Sequence, residues 1–386
     1  MKITILTQYY PPETGAPQNR LHSLAQNLKN QGVEIEVITA MPSYPKNRVF
    51  KDYRGKLLYS EVIDGIPIRR SWIYVSRSKR VVPRLLNYFS FVVSSFFNGL
   101  FSRRSDYVIC ESPPLFLGIS AYLLCRLKGS KLIFNVSDLW PESAEKLGIV
   151  TNSRFLNLAY RLESFLYRNS VLITGQTMGI VKDIKSRFPS LKCHWMPNGI
   201  DKHLYSRDSG SEEWKDAHGI SGKNVFMYAG IVGHAQALDI ILRARALMLE
   251  SYPTEARDTA FVIVGDGPDK SRLLDLQNKL GTDVIFIPNI PKNEVLGMIA
   301  SCFAYIIPLK NIDLFLGAIP SKIFDPLAFG IPVLLAVDGE ARNLFIEKGR
   351  AGIFIEPENE NSLLYGVRQF LAEPEEAKSM GDSGKQ

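Results

Sequence analysis

"KITILTQYYPPETGAPQNRLHSLAQNLKNQG", residues 2–32, decides how the chain is read. Lys2–Thr7 is a short, mostly apolar run, as expected of a strand buried on both faces. "RLHSLAQNLKNQG" follows with apolar residues at helical spacing and a closing glycine. Between them lies a loop with three prolines, one glycine and no apolar run. In open α/β sheets ligands bind beyond the carboxyl ends of strands, where helix N-termini offer unpaired N–H groups and a partial positive charge. Gly15 puts no side chain in the way of an approaching ligand. Pro17 fits a first helical turn, where no N–H is needed. The loop suits a diphosphate or a sugar, and it equally suits a plain strand-to-helix turn.

The same alternation runs on. Strands are expected at Lys2–Thr7, Glu34–Thr39, Tyr107–Cys110, Lys131–Val136, Val171–Thr174 and Cys193–Met196, with helical patterns between most of them. Such βαβ alternation implies a parallel sheet covered by helices. "MPNGID" (Met196–Asp201) breaks the pattern, and a polar stretch follows. Alternation restarts with "VFMYAG", "AFVIVG", "DVIFIP", "FAYIIP", "IPVLLA" and "AGIFIE". The expected architecture is α/β, with two Rossmann-like, doubly wound parallel-sheet domains at residues 1–200 and 201–386. The last stretch, "LAEPEEAKSMGDSGKQ", reads as a helix fading into a polar tail.

Composition narrows the function. With 46% hydrophobic and 22% charged residues the chain is globular. "MKITILTQYY" reads as a strand rather than a signal peptide. The four cysteines lack a C-x-x-C pair and the five histidines lack metal-ligand spacing, so reduced thiols in a cytoplasmic, metal-free protein are expected. The net charge of +7 hides a division: residues 1–200 carry 27 Lys/Arg and 13 Asp/Glu, whereas residues 201–386 carry 19 and 26. A basic half beside an acidic one suggests that one domain faces an anionic surface.

The second half repeats the phosphate-loop arrangement. "YAGIVGHAQALDIIL" places Gly230 and Gly233 between a strand and a helix, without the G-x-G-x-x-G of a dinucleotide site. "VIVGDGPDKSRLL" gives a strand, a glycine turn and a helix. "LFLGAIPSKIFDPLAFGIPV" sets Gly317, Pro320, Ser321 and Lys322 ahead of a helix carrying Asp325. Ser321 is expected to cap that helix. Its N-terminus together with the Lys322 ammonium would make an anion site. Asp325, about one turn deeper on the same face, could accept hydrogen bonds from sugar or ribose hydroxyls.

"QYYPPETGAPQNR", "SDLWPES", "MPNGID", "YAGIVGHAQALD", "VGDGP" and "PSKIFDPLAFGIPV" occur in the order found in family 4 retaining glycosyltransferases of GT-B architecture. The chain most resembles bacterial enzymes assigned as fucosamine (N-acetyl-fucosamine) transferases of O-antigen and capsule assembly. The resemblance spans nearly the whole chain. It implies two domains facing a cleft, a nucleotide-sugar donor held mainly by the second, and transfer with retained configuration without a metal. It also implies that the Gly15 loop approaches the donor phosphates or sugar. Where many relatives place an Arg and a Lys after the glycine matching Gly230, this chain has Ile231 and Gln236, which leaves Lys322 as the candidate cation. Where they carry two glutamates, it has Gly317 and Asp325. Where some have His-Asp, it has Ser137 and Asp138, and Asp138 with Glu142 are the candidate catalytic acids.

Residues 69–104 carry eight Arg/Lys and no acid, around the uncharged run "LLNYFSFVVSSFFNGLF". Asn87, Ser90, Ser94 and Asn98 recur at helical spacing, which speaks against a membrane span. A core helix and a helix lying in an anionic membrane interface both fit, the latter with Phe89, Val92, Val93, Phe96 and Phe97 toward lipid and the arginines and lysines beside it. The reading is a transferase peripheral to the inner face of the bacterial plasma membrane. It would move an N-acetylated deoxyhexosamine from a UDP-sugar to a polyprenyl diphosphate-linked saccharide. A non-hydrolysing UDP-sugar epimerase and a non-catalytic sugar-nucleotide-binding protein are the alternatives. Nucleic-acid binding and nicotinamide chemistry are disfavoured, because neither a reading module nor a dinucleotide fingerprint occurs.

Overall fold

The computed structural model describes residues 1–13, 15–44, 47–76, 81–200 and 212–386, with the side chains of Ala16, Val81 and Arg84 set aside. Arg77, Lys79 and Arg80, expected to face a membrane, lie outside the described residues. The chain forms two compact units, Met1–Asn198 and Gly199–Gln386.

The first unit is built on β1 (Lys2–Leu6), β2 (Glu34–Ala40), β3 (Leu58–Ile63), β4 (Ile66–Ser71), β5 (Tyr107–Ser112), β6 (Lys131–Val136), β7 (Leu172–Gly175) and β8 (Cys193–Trp195). Its helices are α1 (Ala16–Asn30), α2 (Val81–Leu100), α3 (Leu117–Lys128), α4 (Glu142–Lys146), α5 (Ser153–Arg168) and α6 (Met178–Arg187). The sheet order is β3-β4-β2-β1-β5-β6-β7-β8, parallel except for β3 against β4. The order reverses between β1 and β5, so the loop after β1 opens at a switch point. Successive β1 residues serve opposite cores: Ile3 and Ile5 pack with Leu21 and Ala25 of α1, and Leu6 with Ile38, Phe91 and Cys110. Pro17 sits in the first turn of α1, where its missing N–H costs nothing.

The β3–β4 hairpin was not among the expected strands. Its turn is Asp64-Gly65, both at positive φ (50° and 71°), which matches the twist of an antiparallel pair. The hairpin also removes two cations from the expected membrane surface. Arg69 pairs with Glu36 at 2.7 Å, and Arg70 is wholly buried. The Arg70 guanidinium donates to Glu61, to Ala40 O at 3.2 Å and to Pro11 O, and lies 5.0 Å over the Tyr53 ring. Arg70 points inward because β4 is an interior strand and its side chains alternate between faces.

The second unit contains β9 (Asn224–Ala229), β10 (Thr259–Val264), β11 (Ile285–Ile287), β12 (Ala304–Pro308), β13 (Val333–Ala336) and β14 (Gly352–Phe354), in the all-parallel order β11-β10-β9-β12-β13-β14. Around it lie α7 (Glu213–Ala217), α8 (Asp239–Ser251), α9 (Pro253–Arg257), α10 (Lys270–Leu280), α11 (Lys292–Ala300), α12 (Phe324–Phe329), α13 (Glu360–Ala372) and α14 (Pro374–Lys385). Alternation again divides the strands: Phe226 and Tyr228 enter one core, Val225 and Met227 the other. The order reverses between β9 and β12.

The tail expected after α13 is instead the helix α14. A Cβ on Gly381 would lie 2.1 Å from Gly330 O, and one on Gly384 would lie 2.7 Å from the Ala351 Cβ. Two glycines that weaken a helix in isolation are needed here for its close approach to the unit.

Breaking the buried Arg70–Glu61 pair from either side should cost about 3–5 kcal/mol, because one charge is left without its partner. In urea denaturation, Arg70→Met and Glu61→Gln should each lower stability by that order, and the double variant by clearly less than their sum. Additive losses would show that the two charges are not coupled.

Candidate functional site

At the reversal in the second sheet the strands part. The β9–β12 ladder covers only Ala304↔Phe226 and Tyr305↔Met227. Beyond it the Tyr305 hydroxyl takes over the backbone's role, accepting from Ala229 N and donating to Ala229 O, both at 2.9 Å. This holds the end of β9 where its ladder to β12 has stopped. The loops that follow the two strands meet through Lys310 N donating to Ala235 O at 3.0 Å.

The loop after β9 lies backbone to backbone on the loop after β10. Gly230 N donates to Val264 O at 2.9 Å, Val232 N to Asp266 O at 3.0 Å, and Asp269 N to Val232 O at 3.1 Å. No side chain fits between them. A Cβ on Gly265 would sit 1.9 Å from Gly230 O, and one on Gly267 2.2 Å from Val232 O. The glycines of "VGDGP" are thus packing requirements as well as turn formers.

Lys322 comes to this point from the other side. Its ammonium donates to the Tyr228 hydroxyl at 2.6 Å and stands 4.2 Å from the ring centroid, and Tyr228 passes its proton on to Ile231 O at 2.7 Å. Among the described residues no carboxylate is in ion-pair range of Lys322. The side chain is half-buried, and the protein around the ammonium pushes its pKa down to about 7. Burial raises the pKa of Tyr228 and of Tyr305 well above the phenol's ordinary range, so both stay protonated. Gly230, at φ 148°, leaves the space: a Cβ there would lie 3.3 Å from Tyr228 Oη and 3.5 Å from Lys322 Nζ.

The structure therefore brings Gly230 and Lys322 together. Gly233 and Gln236 share one short turn, with Gln236 N donating to Gly233 O at 3.1 Å. Gly317 lies on the loop after β12, which is anchored by Glu340 N donating to Leu316 O at 2.7 Å. Asp325, on α12, lies 3.8 Å from Lys292 Nζ. The expected Ser321 cap does not form. Pro320 takes the cap position with extended backbone, and Ser321 begins a 3-10 turn with its side chain exposed. Tyr228 and Tyr305 escaped the sequence reading. Their signal was a tyrosine inside each of two otherwise apolar strands, "VFMYAG" and "FAYIIP".

The remaining candidates belong to the first unit. Gly15 caps α1 in extended conformation, and a Cβ there would meet the end of its own neighbour Gln18 at 2.5 Å. Asp138 accepts from Ser143 Oγ at 2.8 Å, and desolvation raises its carboxyl pKa. Glu142 is engaged by Lys146 at 2.6 Å. Behind them runs a polar network that the sequence reading missed, at the carboxyl ends of β5, β6 and β7. Buried Glu111 accepts from Arg20, Asn135 and Ser137. Arg20 also reaches Ser137 Oγ at 2.9 Å and Asn198 Oδ1 at 3.1 Å, Thr174 donates to Asn135 Oδ1 at 2.6 Å, and Gln176 donates to Ser137 Oγ at 3.0 Å. Its signal was a polar residue inside an apolar strand, Asn135 in "KLIFNV".

Two parallel-sheet α/β units, each with its loops opening at a strand-order reversal, form the GT-B architecture. Residues 15–199 match the glycosyl transferase 4-like domain and residues 210–386 the glycosyl transferases group 1 domain, and the chain is a glycosyltransferase composed of these two. It is 25% identical over 390 residues to a protein of Escherichia coli (strain K12) named as the colanic acid biosynthesis glycosyl transferase WcaI, covering 97% of this chain and 93% of that one. It is 24% identical over 211 residues to the GDP-mannose-dependent alpha-(1-6)-phosphatidylinositol monomannoside mannosyltransferase of Mycolicibacterium smegmatis, covering 52% and 54%. Among solved structures, Anabaena HepE in complex with UDP and glucose superposes with a TM-score of 0.71 at 15% identity, over 100% of this chain and 94% of that one.

Gly265→Ala should destabilise the second unit by about 2–4 kcal/mol, since backbone must move to admit the methyl group. Chemical denaturation checks this. Gly222→Ala is the control: its φ is also positive (73°), but its Cβ would meet nothing within 4 Å.

Proposed function

We propose that this glycosyltransferase takes a sugar from a UDP-sugar and transfers it, with retention, to a lipid-linked saccharide in surface polysaccharide synthesis. The observation that carries the reading is Lys322: an ammonium at the strand-order reversal, hydrogen-bonded to a phenol and lacking a carboxylate counter-charge among the described residues. A group so placed is suited to a dianionic diphosphate. Negative charge grows on the diphosphate as the sugar–oxygen bond breaks, and a fixed cation with the N–H groups of the Gly230 loop stabilises that charge most in the transition state. In this reading Asp325 accepts ribose hydroxyls, Gly233, Gln236, Gly317 and Ser321 border the donor, and Gly15, Asp138 and Glu142 serve the sugar and acceptor in the first domain. No metal is required, because Lys322 supplies the charge. The acceptor hydroxyl attacks the anomeric carbon on the face that the leaving group vacates, and its proton passes to the departing diphosphate oxygen.

The uridine base is supported by HepE, whose structure holds UDP, and a deoxyhexosamine sugar by the resemblance to O-antigen and capsule enzymes. The lipid-linked acceptor is supported by the likeness to WcaI, named for colanic acid biosynthesis, and to a mannosyltransferase named for a phosphatidylinositol acceptor. Such acceptors sit at a membrane, which makes the protein peripheral to its cytoplasmic face. A thermal-shift panel of UDP- and GDP-sugars, followed by transfer assays with polyprenyl diphosphate-linked acceptors, tests the reading. Stabilisation by GDP-sugars alone would overturn the choice of nucleotide.

Lys322→Ala should lower kcat roughly 10²–10³-fold with an unchanged melting temperature, whereas near-normal turnover would remove Lys322 from the chemistry. The pH dependence follows from its depressed pKa. Only the ammonium attracts diphosphate, and in the free protein it is lost as pH rises through about 7. UDP affinity should therefore fall from pH 6 to pH 8.5, with net proton uptake on binding. Calorimetry in buffers of different ionisation heat reads that uptake, and Lys322→Met should abolish it.

A further inference from the structure

The long helix α2 is turned the opposite way from an ordinary surface helix. Its polar row faces protein. Asn87 Nδ2 donates to Tyr74 O at 2.6 Å, Ser90 Oγ accepts from Tyr74 N at 2.9 Å, Ser94 Oγ donates to Trp72 O, and Asn98 Nδ2 donates to Arg70 O at 3.2 Å and Ser71 Oγ at 2.9 Å. This row stitches the helix to the chain leaving β4. A third side, with Val92, Ser95 and Gly99, packs toward α3, where Ser95 Oγ donates to Ser120 Oγ at 3.2 Å and a Cβ on Gly99 would strike Leu124.

What remains outside is apolar. Val82, Leu86, Phe89, Val93, Phe97 and Leu100 recur at spacings of three and four, and all are exposed, Val93 at 55% and Phe97 at 56%. They form one stripe along a helix ~30 Å long. Val92, expected to face lipid, is buried instead. Trp72 and Tyr74, on the segment the helix grips, are also exposed. No helix among the described residues is long and apolar enough to cross a membrane.

We propose that the outward face of α2 lies in the surface of an anionic lipid bilayer, with the stripe inserted between acyl chains and the helix parallel to the membrane plane. This deepens the reading above, on which it rests for the presence of a membrane-bound acceptor. Charge decides between a bilayer and a second copy of the chain. Arg103 and Arg104 are exposed just past the C-terminal end of the stripe, and the sequence holds no acid from residue 69 to residue 104. A second copy joined along this stripe would bring no carboxylate from residues 69–104 to answer Arg103 and Arg104. A surface of anionic headgroups answers them, and tryptophan and tyrosine beside the stripe suit the headgroup level.

Flotation with vesicles of phosphatidylglycerol and phosphatidylcholine tests this, with pure phosphatidylcholine as comparison. The wild-type chain should float with the anionic vesicles at low salt and far less with the neutral ones. Val93→Glu with Phe97→Glu should reduce partitioning at least tenfold, while the melting temperature and its rise with UDP-sugar match wild type. Arg103→Gln with Arg104→Gln should weaken binding at low salt and blunt its salt dependence. Wild type that ignores anionic vesicles overturns the proposal. So does a glutamate variant that floats as well as wild type, or a wild-type dimer in sedimentation that the glutamate variant splits. If the wild type floats but no nucleotide sugar stabilises it, the donor assignment fails and the lipid face stands.

Discussion

A half-buried cation with no opposing charge among the described residues is the constraint around which the second domain's site is arranged. Such a group is costly unless something repays its lost hydration. Here repayment is partial: one hydroxyl accepts from the Lys322 ammonium, and the face of the same ring lies beneath it. The phenol keeps that role because its own proton is committed to Ile231 O. Gly230 sits at φ 148°, where a side chain is strained, and Gly265 must be glycine because Gly230 rests on it. The β9–β12 ladder is short, and the Tyr305 hydroxyl carries its hydrogen bonding on to Ala229. Around this one cation lie two tyrosines, two glycines and a short ladder.

The first domain solves the same problem in the opposite manner. Two of its interior charges are answered: Glu111 by Arg20 and two neutral donors, Arg70 by Glu61 and two carbonyls. Buried hydrogen-bonded networks stiffen what they touch, although in the one around Glu111 the Arg20 Nε is left without a partner among the described residues. The network around Glu111 fixes Ser137 next to Asp138, and Arg70 fixes the loop after β1 through Pro11.

Much of this was legible in the sequence, and the failures have physical causes. Strands buried on both faces announce themselves as apolar runs, so the two sheets could be read directly. The β3–β4 hairpin could not, because an edge strand alternates with solvent and its Leu58, Ser60 and Val62 face outward. The Asp64-Gly65 turn was the available signal. Gly381 and Gly384 read as helix-breaking until the surface they approach is known. Ser321 looked like a cap, but Pro320 already held that position. The regular spacing of Asn87, Ser90, Ser94 and Asn98 correctly showed one polar face on α2, yet spacing cannot say toward what a face is turned. The exposed backbone at the end of β4 supplied the answer. Lys322 and Gly230 could be paired as candidates from loop order alone, whereas Tyr228 could not, since a tyrosine in a strand looks like core.

Arg70 joins three stretches that are far apart in the chain: the hairpin through Glu61, strand β2 through Ala40, and the opening loop through Pro11. The loop is therefore not a portable cassette. A chimera that imports "QYYPPETGAPQNR" into a relative would leave Pro11 O without its guanidinium unless the hairpin travelled with it. Conversely, a hairpin trimmed to shorten the protein would unlatch a loop some fifty residues upstream. The natural unit of exchange in this domain is the loop, the hairpin and the arginine together.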